Sequence, residues 1–295
     1  MAIAFGAIGA GSNGITSLSV PLPASIAAGD LLVLCIANKY PPNAPATPAG
    51  WVAGTNYREE GGSGASGTDT GSVFVSVYTR VADGAESGNV AVTITGGNCA
   101  FGRMLRYTKS ASATWDLVLV NGVDTTADAS WSVALDAMDV HANDMVLVAS
   151  ATNTDLYTHT VEALVQTGTT FGTMVERNDI GTTNGDDCWL FISEHPVSSG
   201  AGAGALTYTA TPSGTATNNP AGASVALRMR ELFTSSGTGA MGAFGASGTA
   251  TADVPAFTSS GTGAMGAFGG VGIATSSPPG GSTLEYMSGS RRRRR

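Results

Sequence analysis

Histidine side chains are the first place to look for catalysis in this sequence. The three histidines are His141, His159 and His195, and none lies in a G-x-S-x-G turn. Nucleophilic catalysis needs a nucleophile, a base and an orienting group that meet in space. The sequence also lacks H-E-x-x-H, C-x-x-C and phosphate-loop motifs. These patterns predict no enzyme, no cofactor and no metal site, with all three histidines at the surface or at strand edges.

Thiols are the second kind of reactive group. The chain has three cysteines, an odd number, at Cys35, Cys99 and Cys188. Cys35 and Cys188 lie within apolar runs of the kind that form buried strands. We therefore expect buried free thiols, and a disulfide is the alternative.

Two glycine-rich acidic segments contain many candidate oxygen ligands. They are Asn178–Asp187 and its counterpart Glu59–Asp69. Calcium takes six to eight oxygens, but neither segment has the spacing of the twelve-residue calcium loop. A glycosidase would need two carboxyl groups at a defined separation, for example with Asp186 or Asp187, and nothing in the pattern sets one. Solvated hairpin loops are the interpretation we favour.

Tryptophan offers a different kind of site, because sugars stack on exposed aromatic rings. Trp51 follows Pro-Ala-Gly in a predicted loop and has Tyr40 and Tyr57 nearby in the sequence. It is therefore the candidate for a glycan-binding platform, and packing in the core is the alternative. Trp131 and Trp189 belong to strand-like segments and are expected in the core.

The distribution of charge narrows the choice of partners. Only 12% of the residues are charged and the net charge is −8, although five arginines end the chain. Without them, nine basic residues stand against 22 acidic ones, a net charge of −13, which argues against nucleic-acid binding by the globular part. The terminal run of arginines is expected to bind an acidic partner, unless it is an added tag. Its residues are Arg291, Arg292, Arg293, Arg294 and Arg295.

Five segments of the first 231 residues recur in the same order later in the chain, at an offset that grows from 113 to 122 residues. This pattern indicates an old duplication with loop insertions. The matched pairs are Ser17–Ala24 with Ser130–Ala137, Gly29–Ala37 with Asn143–Ala151, Val73–Val81 with Cys188–Pro196, Val90–Thr95 with Ala205–Ala210, and Gly102–Tyr107 with Ser224–Met229.

The residue pattern of each copy predicts β-strands. Val73–Arg80 alternates with period two, and Leu31–Ala37 and Met145–Ala151 are apolar on both faces, as in central strands. No long apolar run has a helical period. We predict an all-β fold of two antiparallel β-sandwiches in tandem, immunoglobulin-like or jelly-roll, over residues 1–110 and 111–231. One fused body is the alternative.

The last part of the chain has a different organisation. Thirteen residues, FTSSGTGAMGAFG, occur identically at Phe233–Gly245 and Phe257–Gly269, a period of 24. So few large side chains cannot form a core alone, so we predict that residues 232–275 gain order by assembly, against the alternative of a flexible linker. Residues 276–295 are predicted to be a flexible tether. The proposed assembly anchors are Phe233, Met241, Phe244, Phe257, Met265 and Phe268.

Several of these segments resemble virion structural proteins of tailed bacteriophages. The resemblance covers residues 15–110 and 233–273, through S-L-S-V-P-L-P-A, P-A-G-W, V-F-V-S-V-Y-T-R-V-A-D-G, A-V-T-I-T-G-G and the tandem F-x-x-S-G-T-G repeats. It implies a β-sandwich building block of a head decoration, fibre or minor tail component. Such a component is commonly homo-oligomeric and has no cofactor, and no catalytic residues carry over.

The expected function is therefore structural. The partners would be other virion proteins and further copies of the chain, with a trimer favoured. No apolar run is long enough to span a membrane and the first residues lack a basic secretion signal, so we expect synthesis in the host cytoplasm and location in the virion. The alternative is a carbohydrate-binding or adhesin module that recognises a host-surface glycan through Trp51.

Overall fold

The computed structural model describes residues 3–39, 44–52, 54, 56–59, 72–125, 131–152, 158–185, 187–200, 202–213 and 222–233. All of these residues belong to one compact unit. Their secondary structure consists of β-strands, with no helix. The all-β prediction is confirmed for this part of the chain.

The first copy contributes eight strands in two antiparallel sheets. One sheet has the order β1-β8-β4-β6-β5, with β2 also paired to β8, and the other consists of β3 and β7. The bounds are β1 Ala4–Ile8, β2 Ser12–Gly14, β3 Ser17–Pro21, β4 Leu31–Lys39, β5 Asn56–Glu59, β6 Val73–Val81, β7 Asn89–Thr93 and β8 Cys99–Thr108.

The second copy contributes nine strands, also in two antiparallel sheets. One has the order β13-β15-β11-β17-β9, with β14 also paired to β15, and the other has the order β10-β16-β12. The bounds are β9 Ala113–Asp124, β10 Trp131–Val140, β11 Met145–Thr152, β12 Thr158–Gln166, β13 Thr170–Phe171, β14 Val175–Thr182, β15 Cys188–Ser199, β16 Gly202–Ser213 and β17 Gly222–Phe233.

The five matched sequence segments occupy equivalent places in the two copies. The pairs β3–β7 and β10–β16 correspond, and so do the triplets β8-β4-β6 and β17-β11-β15. The turns that lead into β4 and β11 agree in detail. In each, an aspartate carboxylate, of Asp30 or Asp144, accepts a hydrogen bond from the backbone N–H three residues earlier. Gly29 and Asn143, one residue before the aspartates, both have positive φ, +90° and +71°.

Apolar clusters separate four layers of sheet. Side chains of β4 alternate between two of these clusters, with Leu31 on one face and Leu32 on the other. One cluster lies between the six-stranded sheet of the first copy and its β3–β7 pair, and another lies between the two sheets of the second copy. The third contains residues of both large sheets, for example Leu31 and Leu147. The two copies thus share a core, which the period-two pattern could not show.

No helix within the described ranges has the length and apolar character needed to cross a bilayer.

Candidate functional site

A cavity of about 410 Å³ opens on the first copy, beside β7. The sheet residues that line it come from β4, β6 and β7. The others are Leu22, which follows β3, and residues of the loops around Pro48–Trp51 and Ala85–Ser87. Its lining consists of Leu22, Leu32, Pro48, Ala49, Trp51, Arg80, Ala85, Glu86, Ser87, Asn89, Val90 and Ala91.

The loop that carries Trp51 is held to the sheet by its backbone. Trp51 N–H donates to Pro48 O at 3.1 Å, and Gly50 has a φ of +80°, the conformation that the third position of a type II turn requires. Tyr78 on β6 donates its hydroxyl to Pro45 O at 2.6 Å, and burial raises the pKa of Tyr78 to about 12. The turn chemistry of Pro-Ala-Gly-Trp therefore sets where the indole lies.

Trp51 itself is mostly buried. Its side chain belongs to the cluster beneath β3 and β7 and is 8% exposed, while the residue also lines the cavity. Core packing, the alternative interpretation, is therefore confirmed for Trp51, and an exposed platform is not what the structure has. Tyr40 and the side chain of Tyr57 lie outside the described residues.

A charged cluster forms one wall of the cavity. Arg80, 28% exposed, forms ion pairs with Asp83 at 3.1 Å and with Glu86 at 3.3 Å. The carboxylate of Glu86 also accepts hydrogen bonds from the backbone N–H groups of Asp83 and Gly84. A hydrogen bond from the Ala85 backbone, together with the charge of Arg80, lowers the pKa of Asp83.

The lining of this cavity combines an indole ring with a few polar side chains. Both carboxylates are engaged by Arg80 and by backbone N–H groups, so these contacts shape the loop. Asn89 donates from Nδ2 to Ser19 Oγ at 3.0 Å, which fixes the orientation of its side chain. An apolar ring beside a few fixed polar groups is the usual composition of a small-molecule pocket. The Arg80–Asp83–Glu86 spacing is the sequence signal for this cluster, which the prediction of site residues did not include.

The histidines do not form a catalytic site in the described residues. His141 lies in the turn before β11, as expected, and contacts Asp139 at 2.8 Å. The surface prediction is wrong for His195, which is 1% exposed because its face of β15 is covered by the β10-β16-β12 sheet. The side chain of His159 lies outside the described residues.

His195 and Ser193 resemble a nucleophile–base pair only in distance. Ser193 Oγ lies 3.0 Å from His195 Nε2, but both residues are 1% exposed and no substrate reaches them. Burial lowers the pKa of His195 to about 4, although the nearby Glu162 carboxylate acts in the opposite direction. A neutral imidazole in the core is a packing group.

The acidic segment Asn178–Asp187 is mainly a hairpin. Residues 178–182 form the end of β14, and Cys188 begins β15. Asn178 donates to the carbonyl of Leu190, and Asp179 accepts from Trp189 Nε1 at 2.8 Å, so these polar groups hold the hairpin together. Within the ranges that the structure describes, no group of three or more His, Cys, Asp and Glu side chains is arranged to hold a metal ion. Asp186 lies outside those ranges.

A buried polar cluster joins the two copies. Glu194 on β15, 2% exposed, accepts from the Tyr107 hydroxyl at 2.6 Å and from Arg177 Nη2 at 2.7 Å. The Arg177 guanidinium also lies 3.7 Å above the centre of the Phe5 ring. A glutamate inside an apolar strand run is the sequence signal for such a buried pair.

Of the proposed assembly anchors, Phe233 alone lies in the described part. It ends β17, where it pairs with Ala113 of β9, and is partly buried. The other five anchors, Met241, Phe244, Phe257, Met265 and Phe268, and the arginines 291–295 lie outside the described residues.

Comparison of the chain with protein-family models, with curated proteins and with solved structures gave no match.

Proposed function

We propose that this protein is a structural component of a tailed-bacteriophage virion that homo-oligomerises through its C-terminal repeats. The observation that carries the proposal is the position of the repeat tract. β17 ends at Phe233 and pairs with β9 over its whole length. The first repeat, which begins at Phe233, is therefore attached to a strand of the large sheet of the second copy. A repeat tract attached in this way transmits contacts with neighbouring subunits to a packed body.

The body suits a building block. We further propose that each copy is a β-sandwich made of its large sheet and the small sheet that covers it. The two sandwiches then share the cluster that contains Leu31 and Leu147. Extensive burial combined with few charges favours a rigid, protease-resistant particle component over a catalyst that needs mobile loops.

Sheet edges give the repeats a place to dock on a neighbouring subunit. Among the described strands, β12 pairs only with β16 and β14 only with β15, so each has a free edge. Val165 on β12 and Ile180 on β14 are 58% and 44% exposed. Extended repeat segments from another subunit would add strands to such edges, with phenylalanines as anchors. A closed ring of three subunits is the arrangement we favour.

The test compares the full chain with a version that ends at Phe233. This cut keeps β17 whole, so we expect an unchanged circular-dichroism spectrum and melting temperature. Light scattering should show trimers for the full chain and monomers for the truncated one. A chain that ends at residue 275 is the matched control, because it lacks the tether and the arginines but keeps the repeats and should still form trimers.

Location in particles needs a second measurement. Mass spectrometry of purified virions from cells that produce each version should detect the full chain and the 275-residue control, but not the version cut at Phe233. Equal incorporation of all three would refute the anchoring role. Loss of the 275-residue control as well as the version cut at Phe233 would refute anchoring by the repeats and assign the contact to residues 276–295, which include the arginine run.

A second function, recognition of a host-surface glycan, is favoured by the cavity beside Trp51. The lining of the cavity includes an indole, a guanidinium and an amide, groups that suit the alternating apolar and hydroxyl surfaces of a sugar. Removal of Trp51 also removes part of the core, so more informative variants change only polar groups. We choose Arg80→Met and Asn89→Ala for this purpose.

A glycan array probed with the native protein and these variants tests the idea. Each variant should weaken binding by about tenfold, the effect of one lost hydrogen bond. Asn184→Ala, in the exposed β14–β15 turn of the other copy, should bind like the native protein. The glycan hypothesis fails if the native protein binds no glycan, or if the three variants bind equally.

A further inference from the structure

Two cysteines from different copies meet in the shared core. Cys99 is the first residue of β8 and Cys188 is the first residue of β15. Both side chains are fully buried in the cluster between the two large sheets. Their sulfur atoms are 3.0 Å apart, and the residues are 89 positions apart in the chain. All three cysteines of the chain are free and buried, as we had expected.

The surroundings of the pair are partly polar. Cys188 Sγ lies 3.8 Å from the carbonyl oxygen of Ala37, and Cys99 Sγ lies 3.6 Å from that of Thr182. Lys39, which is fully buried, pairs with Cys99 in the register of β4 and β8. Both sulfur atoms are thus held at the same end of the shared core.

We propose that Cys99 and Cys188 form a disulfide that links the two copies covalently when the chain meets a low-molecular-weight disulfide such as oxidised glutathione. An S–S bond is about 2.05 Å long, so each sulfur needs to move by about 0.5 Å. Cys35, on β4 in the same cluster, takes no part in the link.

The reaction consists of two thiol–disulfide exchanges. The thiolate of one cysteine attacks the small disulfide, forms a mixed disulfide and releases one small thiol. The other cysteine, after losing its proton, attacks the protein sulfur of the mixed disulfide and releases the second small thiol. The two cysteines together lose two protons and two electrons, and the small disulfide gains both electrons.

Burial controls when this reaction occurs. Desolvation and the neighbouring Cys99 raise the pKa of Cys188 well above its usual value, although Lys39 acts in the opposite direction. The thiolate is the attacking species, so the closed protein reacts slowly. Exchange is therefore expected while the two copies are still apart during folding, or after this end of the core opens. Once formed, the link is equally protected from reductants.

The experiment refolds the full chain from urea with oxidised glutathione or with dithiothreitol. We expect the oxidised sample to keep one free thiol of three, and peptide mass mapping should find Cys99 joined to Cys188. Its melting temperature should exceed that of the reduced sample by about 10 °C, because the link closes a long loop. The Cys35→Ala variant should behave in the same way, and Cys99→Ala should show no shift.

Three results would overturn the proposal. One is a peptide map in which Cys35 is joined to either partner. Another is a native sample that keeps three free thiols after refolding with the oxidant. The last is a Cys99–Cys188 link with an unchanged melting temperature. Each of these is read on the native chain, so the conclusion does not depend on the folding of a variant, and none depends on virion assembly.

Discussion

Burial of His195 makes the stability of the folded protein depend on pH. In the folded state its pKa is lowered to about 4, chiefly by desolvation, whereas a histidine in the unfolded chain titrates near 6.5. Between these values the unfolded chain binds more protons than the folded one. The stability is therefore fully present above about pH 6.5 and is lost as the pH falls toward 4.

The size of the effect follows from the two pKa values. A difference of about 2.5 units corresponds to about 3 kcal/mol when the titration is complete. Between pH 7 and pH 5 this histidine should lower the free energy of unfolding by about 2 kcal/mol. The groups that face it are Ser193 on the same strand and Glu162 and Tyr208 on the covering sheet. Of these, the Glu162 carboxylate opposes the shift.

The assay is urea unfolding at pH 7, 6 and 5, with the free energy extrapolated to water. His195→Gln keeps a polar group beside Ser193 but cannot gain a charge, so its loss of stability over this range should be about 2 kcal/mol smaller than that of the native protein. His141→Gln is the control for replacing a histidine: it leaves His195 in place and should therefore keep the loss of about 2 kcal/mol that His195 contributes. Parallel curves for the native protein and His195→Gln would refute the reasoning.

Further predictions concern the contact between the copies and the entry to β11, with urea midpoints as the measurement. Glu194→Ala leaves Arg177 and Tyr107 without their shared acceptor and should destabilise the protein by about 3 kcal/mol. Tyr107→Phe removes a single buried hydrogen bond and should cost about 1–2 kcal/mol; an equal cost for both changes would contradict the network. Asn143 has a φ of +71°, so Asn143→Val should cost about 1–2 kcal/mol, whereas Asn143→Gly should stay within about 0.5 kcal/mol.

Local sequence patterns predicted most of the secondary structure. The alternation of Val73–Arg80 and the apolar runs Leu31–Ala37 and Met145–Ala151 all lie in strands of the large sheets. The turn at Asn143-Asp144 also matched its counterpart, because a positive φ and an aspartate cap depend on a few neighbouring residues. The predicted role of residues 234–295 stays a prediction.

Of the residues that line the cavity, the sequence pointed only to Trp51 as a candidate site residue. Trp51 was a candidate because it is an aromatic residue after a turn. Arg80, which lines the same cavity, is 29 positions away in the sequence, and the pairing of Val52 with Thr79 brings the two segments together. A loop residue and a strand residue of this kind are placed together by tertiary contacts. Spacing along the chain carries no signal for them.

The amino-acid sequence alone establishes that this chain forms antiparallel strands in two related copies, since side-chain alternation and turn chemistry act over a few residues. Only the tertiary structure shows which sheet face meets which. Leu31–Ala37 is apolar on both sides, which predicts a central strand but leaves its covering layers open. Because layer packing buries distant segments together, it also decides that His195 lies in the core and that Cys99 touches Cys188.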